Sequence, residues 1–314
     1  EDQQTVATLV GGLMPMNVYM SQSFANEPLA GCFTALTILL CIALLTNRDL
    51  SSRHQFFVWL GGIWGLGLLS KVTPVLLTPV IIGAIVYQTW HVLGSFRSTF
   101  SRLGCTLITC FVVSGWYFVR NWVFLGRPFI GGWDPGIGIR WWQDPSYRTW
   151  SQFTSFGLTL RQPVYSGVLS LWDSLYSSMW TDGFLSGKVE TIDKIPWNIQ
   201  WMEVGAWLSI LPMGCVLVGP LGIMSSDLRS ARSSLLLATA AIGIYLAALV
   251  DLYVHVPIYS QAKASYMLGL LPCFAILAAA GAEPLLRNRG IRAAFFGGIA
   301  TWATAVYAAY FCLH

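Results

Sequence analysis

The chain has 314 residues, of which 55% are hydrophobic and only 10% charged, with a mean hydropathy of +0.60. A soluble globular domain carries roughly a quarter charged residues, so this chain lacks the polar surface to cover a water-exposed fold, and lipid is its expected solvent. The net charge of +4 is too small to point to nucleic acid. There is no internal repeat and no low-complexity tract. The seven cysteines, Cys32, Cys41, Cys105, Cys110, Cys215, Cys273 and Cys312, all fall in apolar segments, which suits small buried hydrophobes better than a disulfide framework or a zinc site. The histidines, His54, His91, His255 and His314, form no metalloprotease-type motif. The chain begins at Glu1, almost directly before an apolar segment, which leads us to expect that it is truncated at its N-terminus.

In chain order, hydropathy predicts nine spans near 5–21, 27–46, 55–70, 72–92, 103–119, 203–224, 233–252, 264–282 and 293–312. They are continuously apolar without a period of two, so an all-α bundle is expected rather than a barrel. The segment 55–70 is short for a span of roughly 20 residues. Arginines gather in alternate connections: Arg48 and Arg53, Arg97 and Arg102, Arg229 and Arg232, then Arg287, Arg289 and Arg292. The intervening turns carry only Lys71 and Lys263. The positive-inside rule then places the arginine set and Glu1 in the cytoplasm, and the long 120–202 loop and His314 outside.

That loop is too long to be a plain connection. It is dense in aromatics, among them Trp133, Trp141, Trp142, Tyr147, Trp150, Trp172, Tyr176, Trp180, Trp197 and Trp201, and carries basic residues from Arg120 to Lys194. Within it, Pro163 to Trp180 reads as an interfacial helix with Val164, Val168, Leu171, Leu175 and Met179 on one side. The aromatics suit either a membrane-interface belt or a platform over a site at the outer face, and the length of the loop favours the platform.

Four segments in order carry a resemblance: Pro15 to Leu29 (PMNVYMSQSFANEPL), Gly67 to Lys71 (GLLSK), Trp116 to Pro128 (WYFVRNWVFLGRP) and Gln261 to Pro272 (QAKASYMLGLLP). Together they resemble membrane glycosyltransferases of the C superfamily, in the branch of the protein mannosyltransferases and aminoarabinose transferases (glycosyltransferase family 39-like). The resemblance covers most of residues 1–314 as a single transmembrane domain, with the 120–202 loop inserted in it. It implies inverting transfer of one sugar from a polyprenyl-phosphate carrier to a lipid, glycan or protein acceptor outside the cytoplasm. In that family a carboxylate in the first outer loop is the general base. Here 5–21 corresponds to the family's third span, so on this reading the loop bearing the base precedes Glu1, and the activity of these residues alone is left open.

Against that resemblance each candidate has two readings. Glu27, with Asn26, opens a span. An acidic first turn followed by Pro28 stabilises the helix dipole, and the resemblance adds a catalytic role in orienting the acceptor or binding a divalent cation. Lys71, Arg120 and Lys263 are either interfacial anchors or cations for the donor phosphate, with Asn121 and Tyr266 lining the site beside them. Asp134 and Asp144 precede prolines and read as turn formers. No redox cofactor is implied, and a divalent cation stays open. Two rivals remain: an O-antigen ligase or polymerase, which also acts on lipid carriers, and a secondary transporter, which calls for inverted repeats and mid-span charges that are absent apart from Asp251. A non-catalytic membrane scaffold is the third alternative.

Overall fold

The computed structural model describes residues 1–129, 149–185, 197–255 and 262–312. Among the described residues all regular structure is helical. The α-helices are α1 (Asp2–Leu13), α2 (Pro15–Ser21), α3 (Asn26–Thr46), α4 (His54–Ser70), α5 (Thr78–Leu93), α6 (Phe96–Leu125), α7 (Trp150–Thr154), α8 (Leu171–Trp180), α9 (Ile199–Leu208), α10 (Ile210–Val218), α11 (Arg232–His255), α12 (Leu271–Leu286) and α13 (Arg289–Phe311). Tighter 3-10 turns at Thr73–Leu77 and Ala264–Leu270 lead into α5 and α12, and one at Gly219–Met224 follows α10.

With these turns included, seven helical stretches among the described residues are long and apolar enough to cross a membrane: Asn26–Thr46, Thr73–Leu93, Phe96–Leu125, Ile199–Met224, Arg229–His255, Ala264–Leu286 and Arg289–Phe311. The other two expected spans take a different form. The 5–21 segment breaks at Met14, whose extended ψ of 121° ends α1 before Pro15 opens α2. A proline lacks the N–H that a continuous helix would use, and it favours the first helical position. Helix α4 has 17 residues, short of the roughly 20 that cross the hydrocarbon. Left-handed glycines end two helices, Gly94 after α5 (φ 59°) and Gly126 after α6 (φ 69°).

Small residues let the long helices touch backbone to backbone. A Cβ at Gly61 would strike the Thr106 carbonyl across the α4–α6 crossing, and one at Gly281 would strike the Cys215 carbonyl between α10 and α12. The outer flank of α6 exposes Ile108, Phe111, Val112, Trp116 and Val123, a surface suited to lipid.

The arginine-bearing turns are tied in two groups. Buried Arg102 donates from Nε to the Ser51 carbonyl and from Nη1 to Ser98 O (3.2 Å), pinning the 48–52 turn to α6. Arg287 binds Asp227 and Glu283, and Arg292 reaches Asp2 (3.1 Å). Glu27 and Lys71 lie at the other ends of α3 and α4.

The predicted helix Pro163–Trp180 needs correction. The chain turns through Tyr165, whose φ is 57°, then a short 3-10 segment at Ser166–Val168, and α8 starts only at Leu171. Ser170 sets that start by accepting from the Asp173 N–H, as an N-cap serine does. Nor does α8 lie half in water as an interfacial helix would. Its serine side is buried along with Leu171, Leu175 and Met179, and Trp172 is its exposed residue.

Candidate functional site

Helices α3 and α4 run antiparallel through the tight turn at 48–52, so the start of one lies beside the end of the other. Glu27 is in the first turn of α3, and Lys71 is the extended residue that ends α4. Their side chains meet with Lys71 Nζ 2.7 Å from Glu27 Oε1. The same ammonium lies 4.5 Å from the centroid of the Tyr266 ring. Glu27 thus carries, in the first turn of α3, an ion pair that spacing along the chain does not reveal.

Three polar links from α8 assemble the rest of the site. Ser174 Oγ donates to Ala262 O (3.0 Å), Ser178 Oγ accepts from Ala264 N (2.7 Å), and Tyr19 OH of α2 donates to the Ser178 carbonyl. These bonds bring α2, α8 and the segment holding Lys263 and Tyr266 around one cavity of about 200 Å³, whose walls include Tyr19, Glu27, Asp182, Phe184, Lys263 and Tyr266. Glu27 and Tyr266 also line a water-sized cavity of about 20 Å³, with Lys71, Thr34 and Tyr245 around it.

Asp182 follows α8 in the turn Trp180-Thr-Asp-Gly183 and is 2% exposed. Trp197 Nε1 donates to its Oδ2 at 2.9 Å. The turn is tight: a Cβ at Gly183 would lie 2.6 Å from Ser177 Cβ and 2.7 Å from Pro163 O. Lys263 stands 5.3 Å from the Phe184 ring centroid. Burial pushes its ammonium below the usual lysine range, while the charges of Asp182 and Glu27 pull it partly back.

Glu27, Lys71, Lys263 and Tyr266 are thus brought together. Asn26 is exposed at the start of α3. Arg120 is exposed on α6 with its guanidinium 5.9 Å from the Phe124 centroid, and it stands apart from the cavity wall. Asn121 is buried and donates to Pro128 O (3.3 Å), while its Oδ1 has no hydrogen-bond partner among the described residues. It too lies off the cavity wall. Asp134 and Asp144 lie outside the described residues. Among the described residues no three His, Cys, Asp or Glu side chains cluster to hold a metal ion, and at Glu27 the Lys71 ammonium takes the place on Oε1 that a cation would take. Asp251, the one mid-span carboxylate suspected from sequence, is exposed near the end of α11 and pairs with His255 Nδ1 at 3.1 Å.

Sequence reasoning missed Asp182 and Ser178. An aspartate before glycine after an amphipathic stretch reads as a turn, which it also is. Asp173, earlier in α8, is held by the chain around it. Asp173 Oδ1 accepts from Gly157 N, Thr159 N and Thr159 Oγ1, and Oδ2 from Ser170 Oγ, so the chain itself consumes both oxygens.

On another side of α8 lies an apolar cleft of about 540 Å³, walled by Leu175 and Met179 of α8, Met213 of α10, Leu246 of α11 and Phe274 of α12. Met267, next to Tyr266, lines it too. Comparison of the chain with protein-family profiles, with curated proteins and with solved structures gives no match.

Proposed function

We propose that this protein is a multi-pass membrane glycosyltransferase that moves a sugar from a polyprenyl-phosphate donor to an acceptor on the outer side of the membrane. One observation carries the reading. A polar cavity holding two carboxylates and a lysine adjoins, across a single helix, a large apolar cleft. A substrate with a charged head and a long hydrocarbon tail needs that pairing, because burying the tail supplies affinity and the polar wall orients the head. The motif resemblance supplies the reaction class.

In this reading the chain spans the membrane nine times, with α1–α2 and α4 as the two short crossings. The arginine end is cytoplasmic, and the cavity and the 120–202 loop are outside; in a bacterial cell the membrane would be the plasma or inner membrane. Lys263, with Lys71 behind it, receives the donor phosphate, whose charge grows as the C–O bond to the sugar breaks. Glu27 orients the acceptor, held in place by Lys71 and the first turn of α3. Arg120 acts from α6 as an interfacial anchor rather than inside the cavity.

The test is transfer of labelled sugar by the full-length protein in liposomes, with polyprenyl-phospho-sugar as donor and a lipid, glycan or peptide acceptor. Inverted product with release of polyprenyl phosphate is the expected outcome. Transfer only of a pyrophosphate-linked oligosaccharide would instead favour the ligase or polymerase reading. Uptake of a solute without transfer would favour a transporter.

A further inference from the structure

We propose that a groove between α5 and α11 seats an anionic phospholipid, one acyl chain along its floor and the headgroup at Arg229 and Arg232. The groove shares no lining residue with the polar cavity or with the cleft beside α8, and the inference does not depend on the glycosyltransferase reading. Its volume is about 220 Å³. Val80 and Ala84 of α5 and Leu237 of α11, all buried, form the floor. The exposed rims are Pro79, Gly83 and Tyr87, which share one face of α5 at four-residue spacing, and Leu236 and Ala240 on α11.

The size of the groove says what fits it. From Pro79 to Tyr87 the helix rises about 12 Å, close to the depth of one leaflet in a hydrocarbon core of roughly 30 Å. A volume of 220 Å³ along that length is a slot much narrower than the about 10 Å of a helix. A second protein helix does not enter such a slot, whereas an extended hydrocarbon chain does. A Cβ at Gly83 would meet no heavy atom within 4 Å, so a side chain there grows into the slot and not into the protein.

Charge gathers at one end. Tyr245 OH of α11 donates to Thr73 O at 3.2 Å, just ahead of α5, so the two helices run antiparallel and Tyr87 lies towards the start of α11. There Ser233 of the groove wall directly follows Arg232, and the tight turn Arg229–Ala231 leads into the helix. Both arginines are exposed. Asp227, the nearest acidic residue in sequence, is held by Arg287, and among the described residues neither Arg229 nor Arg232 has an ion-pair partner. A lipid with a negative headgroup meets both cations while its chain fills the slot. A zwitterionic lipid gains the chain contact alone.

The full-length protein in detergent is titrated with phosphatidylglycerol and with phosphatidylcholine of the same chains, and bound lipid is counted by native mass spectrometry. Phosphatidylglycerol should bind about 10- to 30-fold more tightly, as two basic residues near a headgroup imply. Combining Arg229→Gln with Arg232→Gln should remove that preference. Arg289→Gln, at the start of α13 and off the groove wall, should keep it. Gly83→Phe, which fills the slot, should weaken binding of both lipids. Glycerol phosphate, a headgroup without chains, should not compete. Equal binding of the two lipids by wild type would leave only ordinary annular lipid and overturn the proposal. A preference that survives the double arginine variant would place the headgroup elsewhere, and one that survives Gly83→Phe would remove the groove from the site; either result overturns it. A dimer lost in Gly83→Phe would make the groove an interface between copies, against the proposal. Should Gly83→Phe fail to fold, Ala240→Phe on the opposite rim fills the same slot and gives the same readout.

Discussion

Lys71 sits 18% exposed and Glu27 27% exposed, so each charge depends on the other and on Tyr266 for what water no longer provides. Removing one partner strands the second in a site that cannot fully hydrate it, whereas removing both strands neither. Glu27→Gln and Lys71→Met should each lower the melting temperature in detergent, and the double variant should lose less than the two combined. The interaction term should be about 1–3 kcal/mol. Strict additivity would mean that the pair is a surface contact of no consequence. Lys263 gives a prediction with a definite sign. Burial lowers its ammonium's pKa in the folded state, so between that lowered value and about 10.4 the unfolded chain carries a proton that the folded one has shed. Folding stability therefore rises with pH through this window. Wild type should gain on Lys263→Met as the pH rises towards about 10.4, read as the difference of their melting temperatures. A difference that stays flat would mean that Lys263 keeps its proton throughout. The presence of these charges at one membrane end was legible in the sequence, because lone lysines in arginine-free turns stand out. Their partners were not. Glu27 and Lys71 are 44 positions apart, and nothing in periodicity brings two helix ends together. Asp182 was hidden because its local chemistry is that of a turn.

Helix α8 shows how a short element can organise a site without reaching into it. Ser178 is used twice: its Oγ donates to Ser174 O at 2.6 Å and accepts from Ala264 N at 2.7 Å. Its backbone carbonyl takes Tyr19 OH. Ser178→Ala leaves the buried Ala264 N–H without its acceptor and should cost about 1–3 kcal/mol, with a weaker grip on any ligand of the cavity. Ser177→Ala breaks only a 3.3 Å bond to the carbonyl of Ser174 and should cost less than about 1 kcal/mol. Equal losses in denaturation curves would show that α8 is held by its apolar side alone. The apolar side was the part readable from sequence, through Leu171, Leu175 and Met179. The serines went unread, since nothing in composition tells a buried, hydrogen-bonded serine from a hydrated one. The start of α8 was placed too early for a related reason. Val164 and Val168 continue the helical spacing, but Tyr165 turns left-handed and Ser170 caps the helix after them.

At the scale of the whole molecule, the long apolar helices were readable because lipid leaves a continuous hydrophobic signature, and their ends fall close to the predicted ones except in α6, which runs Phe96–Leu125 against the expected 103–119. The two segments that fall short had visible causes: Pro15 splits the first segment, and α4 is simply short. Which end faces the cytoplasm is a separate matter. It rests on the arginine alternation, and the contacts of Arg102, Arg287 and Arg292 join those turns in two groups without saying which side of a membrane they meet. Single-cysteine labelling settles it. Cys41, Cys110, Cys215 and Cys273 are buried and can stay, whereas Cys32, Cys105 and Cys312 are at least partly accessible and need replacing first. Cysteines placed at Arg97 and Arg229 should then resist an impermeant thiol reagent in intact cells and react after permeabilisation. Cysteines at Trp142 and Lys188, which lie outside the described residues, and at Ser23 on the cavity wall should react in intact cells. The Ser23 position matters most, because it reports on the cavity itself rather than on a loop. Labelling of Ser23 from outside, together with protection of Arg229, would put Glu27, Asp182 and Lys263 where an extracytoplasmic acceptor can reach them. The reverse pattern would place the cavity on the cytoplasmic side, where soluble nucleotide sugars rather than a lipid carrier are the natural donors, and the proposed substrate class would fall with the topology.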